Sequence, residues 1–420
     1  MDMSATCIWT TPSRFLPAPT WTKPLPPGLH EVCLFMVRFF VITGLGLALV
    51  NGWIIWWLWR ALPHTGWLRP LLCLTVVTLG ASFPLLYKLG DHSLVQVWML
   101  RAGAFWLGMV LYVFLLVLLM DVWSLTSRLW LGPPDAGTPR WGAVLLVVGL
   151  PLAIGCASWL NAAYPAVRHY DLTVETAGAI PPAYKDAPLT LGVLADMHLG
   201  RIITAPRLVR AMDLLAPYKP DAVLYLGDIL DDHTLLDVEA MAAALARVQP
   251  RLGHWAVLGN HEYISGPVEN SLDILQRSGM RVLRDQWHVL DDVLVLAGRD
   301  DRSKLAFTGS PRKSLPDVLA DLPPEYRRLP LAVLDHQPHV LDEARAAGAI
   351  LEISGHTHYG QLWPFHWVVE NMYENPHGLL SKKNLHSLVS AGTGAWGPPM
   401  RNTARPEVLV IKVYFVEAGK

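Results

Sequence analysis

Leu189-Thr-Leu-Gly-Val-Leu-Ala195 runs straight into Asp196-Met197-His198. The run is short and mostly apolar, so it reads as a strand buried on both faces. Its polar tip is the informative part, because four later runs end in the same manner. Ala222–Leu226 ends in Gly227-Asp228, and Trp255–Leu258 ends in Gly259-Asn260-His261-Glu262. Ala332–Leu334 ends in Asp335-His336, and Ile350–Ile353 leads to Gly355-His356-Thr357-His358. Five strands thus each carry Asp, Asn or His at the C-terminal tip, the edge of an α/β sheet where ligands bind. Between and after them, helices are predicted over Pro206–Pro217 (with Thr204 as cap), Leu235–Val248 and Ser271–Ser278. Further strands are predicted over Val293–Ala297, Ser387–Ser390 and Val408–Val416. Alternation of strands and helices, followed by several strands, predicts an α/β sandwich with mixed sheets.

The donor types at these tips narrow the chemistry. Carboxylate, carboxamide and imidazole without thiolate favour Mn, Fe, Zn or Co, whereas an oxygen cage for Ca would not use four histidines. Asp196, His198, Asp228, Asn260, His336, His356 and His358 exceed the needs of one tetrahedral ion. They suit two ions that share a bridging carboxylate. Two ions roughly 4 Å apart can clamp a phosphoryl group and activate a water for in-line attack.

Asp-x-His, Gly-Asp, Gly-Asn-His-Glu, a lone His and Gly-His-x-His, in this order, resemble the signature of the calcineurin-like metallophosphoesterases, over residues 189–415. Each block alone is weak, and the ordered set is specific. The resemblance implies a metallo-dependent phosphatase β-sandwich flanked by helices. It implies that Asp196, His198 and His358 hold a first metal, that Asn260, His336 and His356 hold a second, and that Asp228 bridges them. By the same resemblance His261 contacts the phosphate and assists the leaving oxygen. Gly355–Gln361 and Gly392–Arg401 look like the membrane-associated bacterial branch of the family, with Tyr359 standing where that branch commonly has Gly. In that loop Arg401 is a candidate substrate contact, able to offer a phosphate a forked pair of donors. Trp396 is a candidate wall of the substrate pocket, with core packing as its plainer role. Asp231, Asp232, Glu262 and Tyr263 read as a solvated acidic loop, the alternative being that they orient ligands. His233, His254, His288 and His339 fall in no block and are not expected to bind metal.

Upstream the composition changes. Residues 1–165 hold nine Lys/Arg and five Asp/Glu, against 25 and 30 in residues 166–420, for a net charge of −1 overall. Nothing in this balance suggests a nucleic-acid partner. Cys7, Cys33, Cys73 and Cys156 form no CxxC pair or disulfide framework. Four apolar runs, Phe39–Trp59, Pro70–Tyr87, Ala104–Met120 and Trp141–Ala162, have the length and composition of membrane spans. Tryptophans such as Trp53, Trp56, Trp59, Trp123 and Trp141 crowd their ends, as in an interfacial belt. A soluble bundle would need polar faces that these runs lack, and the first run starts too far in and is too long for a cleaved signal peptide. Asp121 is expected at an interface and Asn51 between packed helices. The expected organisation is an N-terminal polar segment (1–38), a transmembrane region of four helices (39–165) and a metallophosphoesterase domain (166–420).

With four spans the N-terminus and the domain share a side. That side carries Arg14, Lys23, Arg38, Lys88, Arg101 and Arg168, against Arg60, Arg69, Arg128 and Arg140 opposite, a six-to-four lean toward the cytoplasm. The expected protein is a multi-pass protein of a bacterial cell membrane that hydrolyses phosphate esters or pyrophosphates with two metal ions. Its expected partners are the lipid bilayer and a phosphorylated small molecule or lipid-linked substrate. The alternative is a membrane sensor or scaffold that binds a phosphate ligand without turnover. A transport module ranks lower, since the spans show no paired charges or broken repeat.

Overall fold

The computed structural model describes residues 29–63, 66–87, 93–131, 140–232 and 236–417. Arg14, Lys23, Lys88, His233 and residues 1–28 of the expected N-terminal segment lie outside the described residues. Contacts divide the chain into a helical unit, Cys33–Leu160 with Gly397–Met400, and an α/β unit built on Asn161–Trp396 and Arg401–Lys420.

The helical unit is made by α1 (Leu29–Ala61), α2 (Leu68–Leu86), α3 (Leu94–Leu131) and α4 (Trp141–Ala163), whose last three residues count with the α/β unit. Each contains a stretch long and apolar enough to cross a membrane. The helix α3 runs well beyond the expected Ala104–Met120, because the flanking residues, though more polar, include many good helix formers and no proline. Ile54, Trp57, Leu58, Val76, Val113, Val117 and Val147 form its interior, while Leu45, Leu49, Leu74, Leu145 and Trp159 face outward. Such inside-out apolarity suits a lipid environment. Asn51 is buried between helices as expected. It donates to the Leu47 carbonyl at 2.8 Å and accepts the Trp106 indole N–H at 2.9 Å. Asp121 accepts from the Trp53 indole at 3.0 Å.

The α/β unit runs β1 (Ala166–Thr176), β2 (Leu189–Leu194), α5 (Ala205–Leu215), β3 (Ala222–Leu226), α6 (Val238–Leu245), β4 (His254–Val257), α7 (Asn260–Ile264), α8 (Val268–Arg277), β5 (Arg281–Val282), β6 (Gln286–Leu290), β7 (Leu294–Gly298), α9 (Lys304–Thr308), α10 (Leu315–Val318), β8 (Leu331–Leu334), α11 (Leu341–Ala346), β9 (Ala349–Ser354), α12 (His366–Met372), β10 (Gly378–Lys382), β11 (Leu385–Val389) and β12 (Glu407–Glu417). One sheet has the order β1-β12-β2-β3-β4-β5 and the other β10-β11-β9-β8-β7-β6. Side chains alternate across each strand, and this builds the layers. On β3, Ala222, Leu224 and Leu226 point into the core shared with Leu294, Leu296, Leu334, Leu351 and Ile353 of the facing sheet. Val223 and Tyr225 point the other way, against Leu208, Met212, Met241 and Leu275 of the covering helices. Leu315, Val318, Leu341 and Ala344 cover the second sheet in the same way. This is the sandwich of mixed sheets flanked by helices that the sequence predicts.

The strand β1 escaped the sequence reading. It pairs in parallel with β12 over eleven residues, Ala166 to Thr176. Its burial alternates strongly only from Leu172 onward, so the apolar signal is diluted by Arg168, His169 and Asp171.

Glu352 on β9 is 2% exposed. Burial, and then the nearby Asp335 carboxylate, push its carboxyl up to about 8, against the pull of Arg299 and Arg312. The unfolded chain releases this proton near 4.5 and the folded chain near 8. Stability therefore falls as pH rises between those values, by at most about 1.4 kcal/mol per pH unit. Glu352→Gln is expected to remove this slope, melting above the parent at pH 8 and level with it in acid. Scanning calorimetry of the full chain checks this, and an unchanged slope in the variant would exclude Glu352 as its source.

Candidate metal centre

The polar tips of β2, β3, β4, β8 and β9 converge at one edge of the sandwich. Five of their residues sit in left-handed backbone: Asp196 (φ 50°), His198 (49°), Asp228 (47°), His356 (69°) and His358 (48°). A non-glycine residue there costs on the order of 1 kcal/mol, and such strain concentrates at functional sites. Here it turns each chain sharply as it leaves the sheet. Glycines give these turns room. A β-carbon on Gly355 would lie 2.4 Å from Asp196 Oδ2, and one on Gly259 would lie 2.2 Å from Asp228 Oδ1. Gly355→Ala is therefore expected to displace the Asp196 carboxylate and destabilise the fold by about 1–3 kcal/mol. Metal content by mass spectrometry and thermal melts read this, and parental metal content in a variant that folds would contradict it.

Two groups of donors each lie within 4.8 Å: Asp196, His198 and His358, and Asp228, His336 and His356. His198 Nε2 is 3.0 Å from His358 Nε2. His336 Nε2 is 3.2 Å from both His356 Nδ1 and Asn260 Oδ1. Asp228 Oδ2 lies between the groups, 3.2 Å from His336 Nε2 and 3.8 Å from His198 Nε2.

The protonation states suit cation binding. Burial, and then the charge of Arg401, hold His358 well below the usual imidazole range. Burial and His336 hold His356 down, to about 3. Both rings are therefore neutral. His336 Nδ1 lies 2.7 Å from the Leu226 carbonyl, to which it donates, so Nε2 is the atom that faces the centre. Against its burial, His336 is held well above its ordinary range by Asp228, and Asp228 is held well below its own by His336 and His261. A cation at Nε2 would take the place of that proton. Burial pushes Asp196 up to about 6, an acid that a nearby cation would return to its charged form. The carboxylates, imidazoles and Asn260 carboxamide present thus fit metal binding of the Mn, Fe, Zn or Co type.

His261 lies beside both groups. Its backbone N–H donates to Asp228 Oδ1 at 2.8 Å, and its Nδ1 is 2.7 Å from Asp231 Oδ1. His198 Nδ1 is 3.5 Å from the same oxygen. His198, Asp231 and His261 form a third donor group. The 2.7 Å contact is an ion pair without hydrogen-bond geometry, and it sets the Asp231 carboxylate against the His261 ring. Although burial opposes it, Asp228 and Asp231 raise His261 to about 9, so the ring carries a proton at neutral pH.

Four residues differ from the sequence expectation. Asp231 and Glu262 are buried, not part of a solvated acidic loop. The Glu262 carboxylate accepts the backbone N–H groups of Asp228, Ile229, Leu230 and Gly259 at 2.7–3.0 Å, and so sets the turn that carries Asp228. Tyr263 is also buried, and Arg284 donates to its hydroxyl at 3.0 Å. Arg401 was expected against a phosphate. It is instead fully buried behind His358, donating to the Gly394 carbonyl at 2.8 Å, the His358 carbonyl at 3.2 Å and the Ala391 carbonyl, with its Nη2 2.6 Å from His358 Nδ1. The spacing Gly-Asp-x-x-Asp was the available signal for Asp231. Trp396 is half-exposed with its ring 5.7 Å from His261, edge to face. Among the described residues, His254 and His339 join neither group. Tyr359 takes φ 45° and ψ 45°, a backbone suited to the glycine common at this position, and its hydroxyl donates to Glu370 at 2.6 Å.

A two-sheet sandwich with this donor set defines a metal-dependent phosphoesterase class, and the comparisons agree. Residues 189–360 match the family model of the calcineurin-like phosphoesterases. An uncharacterized metallophosphoesterase of Aquifex aeolicus is 31% identical over 268 residues, which is 63% of this chain and 97% of that protein. The transmembrane protein with metallophosphoesterase domain of Danio rerio is 31% identical over 63% of this chain and 59% of its own length. An uncharacterized metallophosphoesterase of Helicobacter pylori is 28% identical over 54% of this chain and 60% of its own. The chain belongs to the calcineurin-like metallophosphoesterase family, with four helices apolar and long enough to cross a membrane ahead of the family domain.

Proposed function

We propose that this protein hydrolyses phosphate ester or pyrophosphate bonds of a lipid-linked substrate at a centre for two metal ions. The position of Asp228 Oδ2 between the two donor groups carries the reading, because a shared carboxylate is what a pair of adjacent cations requires. Asp196, His198 and His358 would hold one ion, Asn260, His336 and His356 the other, and Asp228 both. When bound, such a pair supplies Lewis-acid stabilisation of phosphoryl oxygens and lowers the pKa of a water. His261, protonated and oriented by Asp231, donates its Nε2 proton to the departing oxygen. Glu262 holds the Asp228 turn in place, and Arg401 keeps His358 neutral and fixed. Trp396 shields one side of His261 from water. The four apolar helices support a lipid-linked substrate, which a membrane-bound enzyme meets at high local concentration. We place the domain on the cytoplasmic side, on the six-to-four excess of basic residues.

The test uses the full chain in detergent, stripped of metal and reconstituted with Mn, Fe, Zn or Co. Hydrolysis of bis-p-nitrophenyl and p-nitrophenyl phosphate should appear only with metal restored. Two bound ions with no turnover of these esters or of a lipid pyrophosphate would reject the enzyme in favour of a phosphate-binding sensor.

A further inference from the structure

We infer that the segment Gln361–Met372 is seated in the lipid–water interface, which brings the candidate metal centre to the bilayer surface. In this short stretch Trp363, Phe365, Trp367, Val368 and Met372 are 44–60% exposed. No residue of α12 is fully buried: Trp367 meets the rings of Trp363 and His366, and Val368 and Met372 are more than half exposed. Apolar side chains this dense on a water-facing surface mark a binding site. Tryptophan favours the headgroup boundary, and tryptophan and phenylalanine together line the apolar face of segments that lie in the interface. Trp396, 51% exposed, adjoins them: its N–H donates to Gln361 Oε1 at 3.0 Å, and its carbonyl accepts from Gln361 Nε2 at 2.8 Å.

Continuity with a membrane span identifies the occupant. The Trp363 N–H donates to Asn402 Oδ1 at 2.6 Å, and the Asn402 N–H donates to the Gln361 carbonyl at 3.1 Å. Beside Asn402, the Arg401 carbonyl accepts from Asn161 Nδ2 at 2.9 Å. Asn161 lies in the last turn of α4, the fourth candidate span, and belongs to the α/β unit. The aromatic segment and the end of the span are thus joined by one strip of hydrogen bonds. Gly397–Met400, directly after Trp396, belong to the helical unit.

The chain end of α4 also has the character of an interface. Arg207 donates to the Ala162 carbonyl, Arg210 to the Ala163 carbonyl at 2.5 Å, and Arg405 to the Tyr164 carbonyl at 2.7 Å. Arg210 lies over the exposed Tyr164 ring at 4.7 Å. Basic and aromatic side chains together suit a layer of anionic headgroups. Tyr359 ties α12 to the preceding loop through Glu370. The inference does not require turnover and stands or falls apart from the proposed activity.

Nitroxide labels test it. Phe365→Cys, Trp367→Cys and Met372→Cys would be made singly in a full-length chain whose four cysteines are replaced by alanine, with exposed Glu325→Cys as control. The protein is placed in nanodiscs of phosphatidylcholine and phosphatidylglycerol, and melting temperature confirms that each variant folds. The labels at 365, 367 and 372 are expected to be relaxed severalfold more by oxygen than by a water-soluble nickel chelate, with the reverse at 325. Preference for the nickel chelate at all three positions would overturn the inference. Shielding from both relaxants would overturn it too, in favour of a protein partner or a second copy.

Discussion

Asp228→Ala is expected to lower phosphodiester turnover by about a thousandfold or more, equivalent to about 4 kcal/mol of transition-state stabilisation. The magnitude follows from how much meets at this carboxylate. Its Oδ2 stands between the two donor groups, and its Oδ1 holds the backbone of His261 at 2.8 Å. On the proposed reading, removing it would withdraw a charged donor from both cations at once and free the turn that presents His261. Asp228→Asn keeps the shape and the Oδ1 contact but loses the charge, so its loss should be smaller than that of alanine and still large. Metal content, measured beside turnover, should fall below two ions per chain in both variants. Near-parental turnover in Asp228→Ala would remove the shared-carboxylate reading.

His261→Ala is expected to reduce turnover by about 10²–10⁴-fold, the range for a positioned general acid, while both ions remain bound. Retention of metal separates this variant from Asp228→Ala, since His261 is directed at Asp231 and lies outside both principal donor groups. The loss should be greatest for substrates with poor leaving groups. With p-nitrophenolate, which departs without a proton, it should shrink toward the low end. A leaving-group series for parent and variant reads this directly. An equal loss across the series would assign His261 to binding of the phosphate and not to proton transfer. Asp231→Asn should fall in the same direction by less, because it leaves the ring in place and withdraws the charge that keeps it protonated.

Much of the centre was legible in the sequence because its information is local. Each donor follows a short apolar run, and a buried strand must stop where polar residues begin, so Asp196, Asp228, Asn260, His336 and His356 are marked as strand tips by neighbours in the chain. The four apolar helices are readable for the same reason. The strand β1 was not, since Arg168, His169 and Asp171 interrupt its apolar alternation and only its long pairing with β12 makes it a strand.

Side chains whose role depends on a distant partner could not be read this way. Asp231 and Glu262 have the composition of a solvated loop. Folding places one against His261 and surrounds the other with four backbone N–H groups. Arg401 has the donors for a phosphate, and folding turns them onto His358 and three backbone carbonyls. The exposed aromatic face after Tyr359 is likewise invisible in the sequence, where Trp363, Phe365 and Trp367 would pass for core residues. By itself the sequence determined the family, the strand tips, the set of candidate donors and the four long apolar helices, because apolar runs and ordered motifs are properties of neighbouring residues. The tertiary structure alone decided which buried charges face one another and which apolar side chains find no cover, because these depend on residues far apart in the chain that only the packed sheets bring together.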